Sequence, residues 1–139
     1  MNLPPVTGVI ETCIHVDDIE RSMRFYRDIF GFEPLEHDAR FCGFPVANGQ
    51  MLLLFKKGAS TQPIAFPGGI IPPHGGSGQL HLAFSIAAAD YDPWRAWLEE
   101  KGIAIKSEVT WPRGGRSIYF RDPDQHLVEL ATPGVWAIY

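Results

Sequence analysis

The stretch that decides the fold is GVIETCIHVDDIERSMRFYRDIFGF, residues 8–32. Polar and apolar residues alternate in its first part with the two-residue period of a β-strand. One face carries Ile10, Thr12, Ile14 and Val16, and the other carries Glu11, Cys13, His15 and Asp17. Two acids, a thiol and an imidazole on one strand face predict either a solvated surface or the wall of a pocket.

The second part of the stretch predicts an amphipathic helix. Apolar residues recur at helical spacing, an aspartate precedes them as N-cap, and Gly31 follows as a left-handed stop. Short β-like runs come next near residues 32–36, 40–46 and 51–55, with an Asn-Gly turn before the last of them. The first half therefore has the predicted order β-α-β-β-β.

The second half repeats this order. A strand in QLHLAFSI precedes a helix from about Tyr91 to Lys101, and strands follow in GIAIKSE, RSIYFRD and HLVELAT. We thus expect one βαβββ module in residues 7–56 and another in residues 78–133. The segment 57–77 between them is rich in Gly and Pro but carries Ile64, Phe66, Ile70 and Ile71. It is either a linker or, as its apolar content favours, a flap over a site.

Length and composition limit the functions to be considered. A chain of 139 residues with 45% hydrophobic content can bury one core without crosslinks. A net charge of −4 with scattered basic residues argues against a nucleic-acid partner and favours a small molecule or another protein. Neither a signal peptide nor a membrane-spanning stretch is evident, so we expect a cytoplasmic protein without a membrane partner and with reduced thiols.

Candidate site residues follow from the strand patterns. Aligning the first strands of the two modules sets Glu11 against His81, and both point to the same face. Glu129 lies between Val128 and Leu130 in a strand, where a carboxylate is costly unless it is paired, hydrogen-bonded or metal-bound. His81 is thus either a site residue or a satisfied buried histidine, and Glu11 is either a site residue or the ion-pair partner of His81 or an arginine.

Four further residues are candidate substrate contacts. Strand RSIYFRD turns a hydroxyl, a phenol and a guanidinium to its polar face, from Ser117, Tyr119 and Arg121, and these suit an oxygen-rich or anionic ligand. Arg121 has the alternative role of bracing the adjacent turn. His15 is either a pocket wall or a solvated histidine at a strand end, and His126 is expected on the surface.

Three stretches, VDDIERSMRFYRDIFGF, QLHLAFSI and GGRSIYFRDPDQHLVEL, resemble the vicinal oxygen chelate superfamily of glyoxalases, extradiol dioxygenases and bleomycin-resistance proteins. The resemblance covers nearly the whole chain. It implies an α+β fold in which two βαβββ modules form a cup-shaped mixed sheet, with residues 1–139 as a single domain. Such domains are often completed by dimerisation, so a homodimer is expected.

The resemblance also implies a divalent metal, which Glu11, His81 and Glu129 would hold. Most metal-binding relatives have histidine at the position of Glu11, and the position that is acidic in glyoxalase I is Leu53. Mn, Fe, Ni or Zn would suit this donor set. The implied function is a metal-dependent glyoxalase- or dioxygenase-like enzyme acting on a small oxygenated or electrophilic molecule, with Glu11 and Glu129 catalytic. The alternative, which Glu11 and Leu53 favour, is a metal-free binding protein of the bleomycin-resistance type.

Overall fold

The fold was determined from a computed structural model that describes all 139 residues. The chain divides into two compact units, Met1–Gly76 (unit 1) and Ser77–Tyr139 (unit 2). Each unit contains one α-helix and a four-stranded mixed sheet, so the predicted α+β class is confirmed. Neither helix has the length and apolar character needed to traverse a lipid bilayer.

Unit 1 begins with the predicted strand and helix. The elements of its module are β1 (Glu11–Val16), α1 (Ile19–Phe30), β2 (Glu36–His37), β3 (Phe41–Pro45) and β4 (Met51–Lys56). The strands lie in the order β1-β4-β3-β2, with β1 parallel to β4 and the remaining pairs antiparallel. The predicted strand at 32–36 is reduced to the two residues of β2.

Helix α1 is bounded by two residues that its sequence identifies. The Asp18 side chain accepts a hydrogen bond from the backbone N–H of Arg21 at 3.1 Å, which satisfies a donor of the first turn. Gly31 ends the helix in the left-handed region, with φ of 71°, and its N–H donates to the carbonyl of Arg27. The helix buries one face, formed by Ile19, Ser22, Met23, Tyr26 and Ile29.

The segment after β4 contains a structure that the sequence pattern did not predict. Strands β5 (Ile64–Phe66) and β6 (Gly69–Ile71) form an antiparallel hairpin. Phe66, Ile70 and Ile71 on this hairpin are exposed. At its base the backbone N–H of His74 donates to the Ser60 carbonyl at 2.9 Å, and the Ser60 hydroxyl donates to the His74 carbonyl at 2.7 Å. Two hydrogen bonds between Ser60 and His74 therefore close the base of the hairpin.

Unit 2 repeats the βαβββ order. It consists of β7 (His81–Ser85), a 3₁₀ turn at Ala88–Asp90, α2 (Tyr91–Glu100), β8 (Ser107–Thr110), β9 (Arg116–Arg121) and β10 (Leu127–Ala131). The strand order β7-β10-β9-β8, with β7 parallel to β10, is the same as in unit 1. The predicted strand GIAIKSE was misplaced, because the N–H of Ile103 closes the helix end on the Leu98 carbonyl, and β8 begins only at Ser107.

The two sheets share their register as well as their strand order. Glu11 pairs with Met51 across β1 and β4, and His81 pairs with Leu127 across β7 and β10. Two residues further on, Leu53 lies on β4 where Glu129 lies on β10. The repeat therefore makes Glu11 the counterpart of His81, as the sequence alignment of the modules predicted.

Candidate functional site

An imidazole and a carboxylate meet on the helix-free face of the unit 2 sheet. His81 is the first residue of β7, and Glu129 lies in the middle of the adjacent strand β10. Nε2 of His81 is 3.2 Å from Oε1 of Glu129. The His81 side chain is 49% exposed and that of Glu129 only 8%, so the pair is approached from the His81 side.

The His81 ring is oriented by the backbone. Its Nδ1 lies 2.9 Å from the carbonyl oxygen of Leu127, and a carbonyl can only accept a hydrogen bond. Nδ1 therefore carries a hydrogen, and Nε2 is the ring nitrogen that faces Glu129. Histidines that bind metals are commonly fixed in this way, with the other ring nitrogen donating to a carbonyl or carboxylate.

The second oxygen of Glu129 is held by a serine. The Ser117 hydroxyl donates to Oε2 of Glu129 at 2.6 Å, and Ser117 itself is completely buried. Nε1 of Trp111 donates to the same Ser117 oxygen at 2.8 Å. The buried carboxylate thus has the hydrogen-bonding partner that its apolar strand context required.

Tyr119 faces Glu129 directly across the antiparallel ladder of β9 and β10. Burial, followed by the negative charge of Glu129, raises the pKa of the Tyr119 phenol above its ordinary value. The phenol is therefore protonated at neutral pH and can donate a hydrogen bond. Its ring centroid lies 6.3 Å from that of His81.

Arg121 and His126 support the turn between β9 and β10. Nη1 of Arg121 donates to the carbonyl of Gln125 at 3.0 Å, which is the bracing role that the sequence offered as an alternative. The expectation that His126 is a surface residue is wrong, since it is completely buried. Its Nδ1 accepts the backbone N–H of Leu80 at 2.9 Å and so secures the residue before His81.

The equivalent face of unit 1 is apolar where unit 2 has its carboxylate. A Cβ on Gly43 would lie 3.1 Å from the Phe41 ring and 3.4 Å from Leu53 and Met51, so these three side chains cover the glycine. Glu11 is exposed at the start of β1. Burial, and then the charge of Glu11, raises the pKa of the Cys13 thiol on the same face.

His15 lies on the same strand but in a buried environment. Only 6% of the residue is exposed, and its ring packs near those of Phe55 and His74, at centroid distances of 5.9 and 5.6 Å. Gly76 covers the ring so closely that a Cβ there would lie 2.6 Å from Cδ2 of His15. His15 is therefore not a solvated histidine at a strand end.

A separate cleft of about 590 Å³ lies at the start of α1 and includes Asp17, Asp18 and Asp38 in its lining. Each of these acids has a local structural partner. Asp18 caps α1, Asp38 accepts the N–H groups of Arg40 and Phe41, and Asp17 pairs with Lys57 at 3.1 Å. The carboxylates therefore stabilise the surrounding turns, and the candidate site is the one in unit 2.

The donor set of unit 2 fits part of a divalent metal site. A nitrogen lone pair and a carboxylate oxygen directed at each other are brought together either by a proton or by a cation. Both donors are already oriented by Leu127 and Ser117. The chain does not gather a group of three or more His, Cys, Asp or Glu side chains as a complete ligand set would require. His81 and Glu129 therefore supply two donors.

Comparison with known proteins agrees with this fold. The sequence profile of the Glyoxalase/Bleomycin resistance protein/Dioxygenase superfamily matches residues 8–130. The chain belongs to this superfamily. It is 29% identical over 128 residues to the metallothiol transferase FosB of Staphylococcus epidermidis, covering 91% of this chain and 82% of that protein.

Two further superfamily members are similar along most of their length. The glutathione transferase FosA of Serratia marcescens is 31% identical over 120 residues, which is 83% of this chain and 73% of FosA. The crystal structure of lactoylglutathione lyase from Agrobacterium tumefaciens superimposes with a TM-score of 0.87 at 34% identity, covering 96% of this chain and 99% of that one. The resemblance stated from the sequence motifs is thereby confirmed.

Sequence reasoning missed Trp111 at this site. It lies outside the strands, in a segment whose pattern indicates only a turn, and no periodicity relates it to Glu129. The antiparallel pairing of β8 with β9 places it near Ser117, and that pairing could not be read from local sequence. An indole N–H needs an acceptor when it is buried, which is the signal that could have prompted a search.

Proposed function

We propose that this superfamily member is a divalent-metal-dependent enzyme that acts on a small oxygenated or electrophilic molecule, with His81 and Glu129 as metal ligands. The observation that carries the proposal is the 3.2 Å distance between Nε2 of His81 and Oε1 of Glu129. The Leu127 carbonyl orients the His81 ring, and the Ser117 hydroxyl orients the Glu129 carboxylate. Glu11 remains a predicted third ligand, which only the family resemblance implies.

The residues around the pair support binding of an oxygen-bearing ligand. When bound, a metal ion would polarise a substrate oxygen as a Lewis acid. His81 offers a lone pair at Nε2, and Ser117 keeps Glu129 aligned through Oε2. Tyr119 stays a predicted substrate contact, and its phenol hydrogen-bonds to Glu129 beside His81.

A nitrogen donor with two carboxylates suits Mn, Fe, Ni or Zn, and we propose one of these as the cofactor. The reaction class can be narrowed through the relatives, which are named as a metallothiol transferase, a glutathione transferase and a lactoylglutathione lyase. We therefore propose thiol-linked chemistry, and glutathione with a small electrophile is the first substrate pair to assay.

The roles of Arg121, Ser117 and His15 as substrate contacts remain predictions, and each of these residues has a structural partner. A cytoplasmic homodimer whose 139 residues act as one domain also remains a prediction. Support for self-association comes from the sheet edges, because β1 ends one sheet and β7 ends the other.

A metal-free binding protein is the second candidate function. It is favoured by the face of unit 1, where Leu53, Phe41 and Met51 surround Gly43. Apolar and aromatic walls are typical of sites that retain organic ligands without chemistry. In that case a chelator would leave ligand affinity unchanged, whereas a metal-dependent site would lose it.

The proposal is tested by calorimetric titration of Mn²⁺ and Zn²⁺ into the chelated, untagged chain. We expect one ion per chain, and we expect Glu129→Gln, His81→Ala and Glu11→Ala each to lower the affinity by at least about 100-fold. Glu100→Gln, which removes an exposed carboxylate at the end of α2, is the matched control and should bind as the wild type does. Wild-type protein that binds no ion stoichiometrically would exclude the metal-dependent function.

A further inference from the structure

Trp111 donates a hydrogen bond to Ser117, whose hydroxyl in turn holds the proposed metal ligand Glu129. We propose that Trp111 is a positioning residue for Glu129 and acts through the Ser117 hydroxyl. This inference rests on the proposed role of Glu129 as a metal ligand, and it adds a residue that the ligand set and the strand patterns do not include. Its basis is a continuous line of hydrogen bonds from Trp111 through Ser117 to Glu129.

The direction of these hydrogen bonds is determined by chemistry. An indole N–H can only donate, so the Ser117 oxygen must accept from Trp111 at 2.8 Å. Ser117 has a single hydroxyl hydrogen, and Oε2 of Glu129 is the acceptor 2.6 Å away. Because the Ser117 oxygen accepts the indole N–H, its hydroxyl hydrogen is directed at Glu129. Accepting one hydrogen bond also polarises the hydroxyl and strengthens the one that it donates.

The consequence for Glu129 is that its two oxygens have separate roles. Oε2 accepts the Ser117 hydroxyl, which leaves Oε1 directed at Nε2 of His81, 3.2 Å away. Without the indole, the Ser117 hydroxyl would be directed less firmly at Oε2, while the Tyr119 phenol would still hydrogen-bond to Glu129. We expect a looser carboxylate and a weaker metal site.

Trp111 can perform this role because its backbone is tightly held. Its N–H donates to the Gly115 carbonyl at 2.7 Å, and its carbonyl accepts from Gly114 at 2.9 Å, which closes a short turn after β8. Gly115 packs so closely against the backbone of Gly134 and Val135 that no Cβ would fit there. The turn is therefore closed by its own hydrogen bonds and packed at Gly115, which holds the backbone that carries the indole.

A spectroscopic experiment tests the hydrogen-bond line without any metal. In ¹H–¹⁵N spectra of the full chain, we would assign the four indole N–H resonances by single Trp→Phe variants. We expect the Trp111 resonance to move in Ser117→Ala and also in Glu129→Gln, which changes a group two hydrogen bonds away. The indole of Trp136, which is 70% exposed, is the internal control and should not move.

Metal titration then tests positioning. We expect Ser117→Ala to weaken Zn²⁺ binding by about 10- to 100-fold and Trp111→Phe by about 3- to 10-fold, as outer-shell changes do. Because Trp111 acts through Ser117, Trp111→Phe should add no further loss in the Ser117→Ala background. Trp136→Phe is the matched control and should bind Zn²⁺ as the wild type does.

Each outcome decides either this inference or the proposed function. A Trp111 indole resonance with an unchanged chemical shift in both Ser117→Ala and Glu129→Gln would overturn the inference. So would a Zn²⁺ affinity of Trp111→Phe equal to that of the wild type. Additive losses in the double variant would also overturn it, because they would mean that Trp111 acts independently of Ser117. If the wild type binds no metal, the proposed function fails separately, and the resonance shifts still decide whether the hydrogen-bond line exists.

Discussion

Glu129 and Leu53 hold equivalent positions in two sheets that have the same strand order and the same register. The Glu129 carboxylate is buried against the Ser117 hydroxyl, whereas Leu53 packs over Gly43. The repeated module therefore supplies one scaffold twice, and its chemistry differs by the side chains on the helix-free face. At this position unit 2 has a carboxylate and unit 1 has an apolar side chain.

Replacing Glu129 by leucine, the residue at the equivalent position of unit 1, should reveal how strongly Glu129 is coupled to Ser117. In Glu129→Leu the buried Ser117 hydroxyl loses its acceptor, which should cost about 1–3 kcal/mol of unfolding free energy. Ser117→Ala leaves the Trp111 indole N–H without its acceptor in either background, but only in the wild type does it also take a donor from Glu129. Ser117→Ala should therefore cost less stability in Glu129→Leu than in the wild type. Urea denaturation of the four proteins measures this, and equal costs in the two backgrounds would contradict the coupling.

Packing of Gly76 against His15 makes Gly76 sensitive to a single methyl group. A Cβ at Gly76 would lie 2.6 Å from the His15 ring, so Gly76→Ala should cost about 1–3 kcal/mol as overpacking. Gly75→Ala is the matched control, because its Cβ would meet only Thr61, at an ordinary 3.7 Å. Urea denaturation and proteolysis of residues 57–76 provide the measurements. Equal stability of the two variants would contradict the prediction, because it would mean that the His15 ring moves aside at little cost.

Removal of the His126 side chain should be among the most damaging single changes in unit 2. The residue is completely buried and accepts the Leu80 N–H, so His126→Ala should create a cavity and an unpaired donor and cost about 2–5 kcal/mol. His37→Ala, at an exposed position in β2, should stay within about 0.5 kcal/mol of the wild type. Comparable unfolding midpoints for the two variants would mean that the turn does not depend on His126.

Tyr91 should make stability depend on alkaline pH. Burial, and then its 2.9 Å hydrogen bond to Glu108, raises the pKa of the phenol from 10.0 to about 12. A raised folded-state pKa means that the stabilisation is complete below pH 10 and is lost as pH rises towards about 12. The difference in unfolding free energy between wild type and Tyr91→Phe should therefore shrink across that window. A difference that stays constant with pH would contradict this assignment.

Local sequence predicted the order of the elements in both modules and its repetition, although it placed β8 too early and missed the hairpin of β5 and β6. The alternation in residues 10–17, the Asp18 cap and the Gly31 stop depend only on neighbours along the chain, which is why they were predictable. Aligning the first strands of the two modules also set Glu11 against His81, and the two registers agree with that equivalence. The position of Glu129 between Val128 and Leu130 indicated that its carboxylate needs a partner, but not which residue supplies it.

Only the tertiary structure decided which groups those residues meet. Ser117 became the partner of Glu129, Trp111 the partner of Ser117, and His126 the acceptor of the Leu80 N–H, across separations of 12, 6 and 46 residues. These contacts arise from strand pairing and from chain segments folding back, and neither leaves a period in the sequence. Periodicity records which face of an element a side chain lies on, whereas hydrogen bonds between elements depend on register and orientation that packing of the whole unit sets.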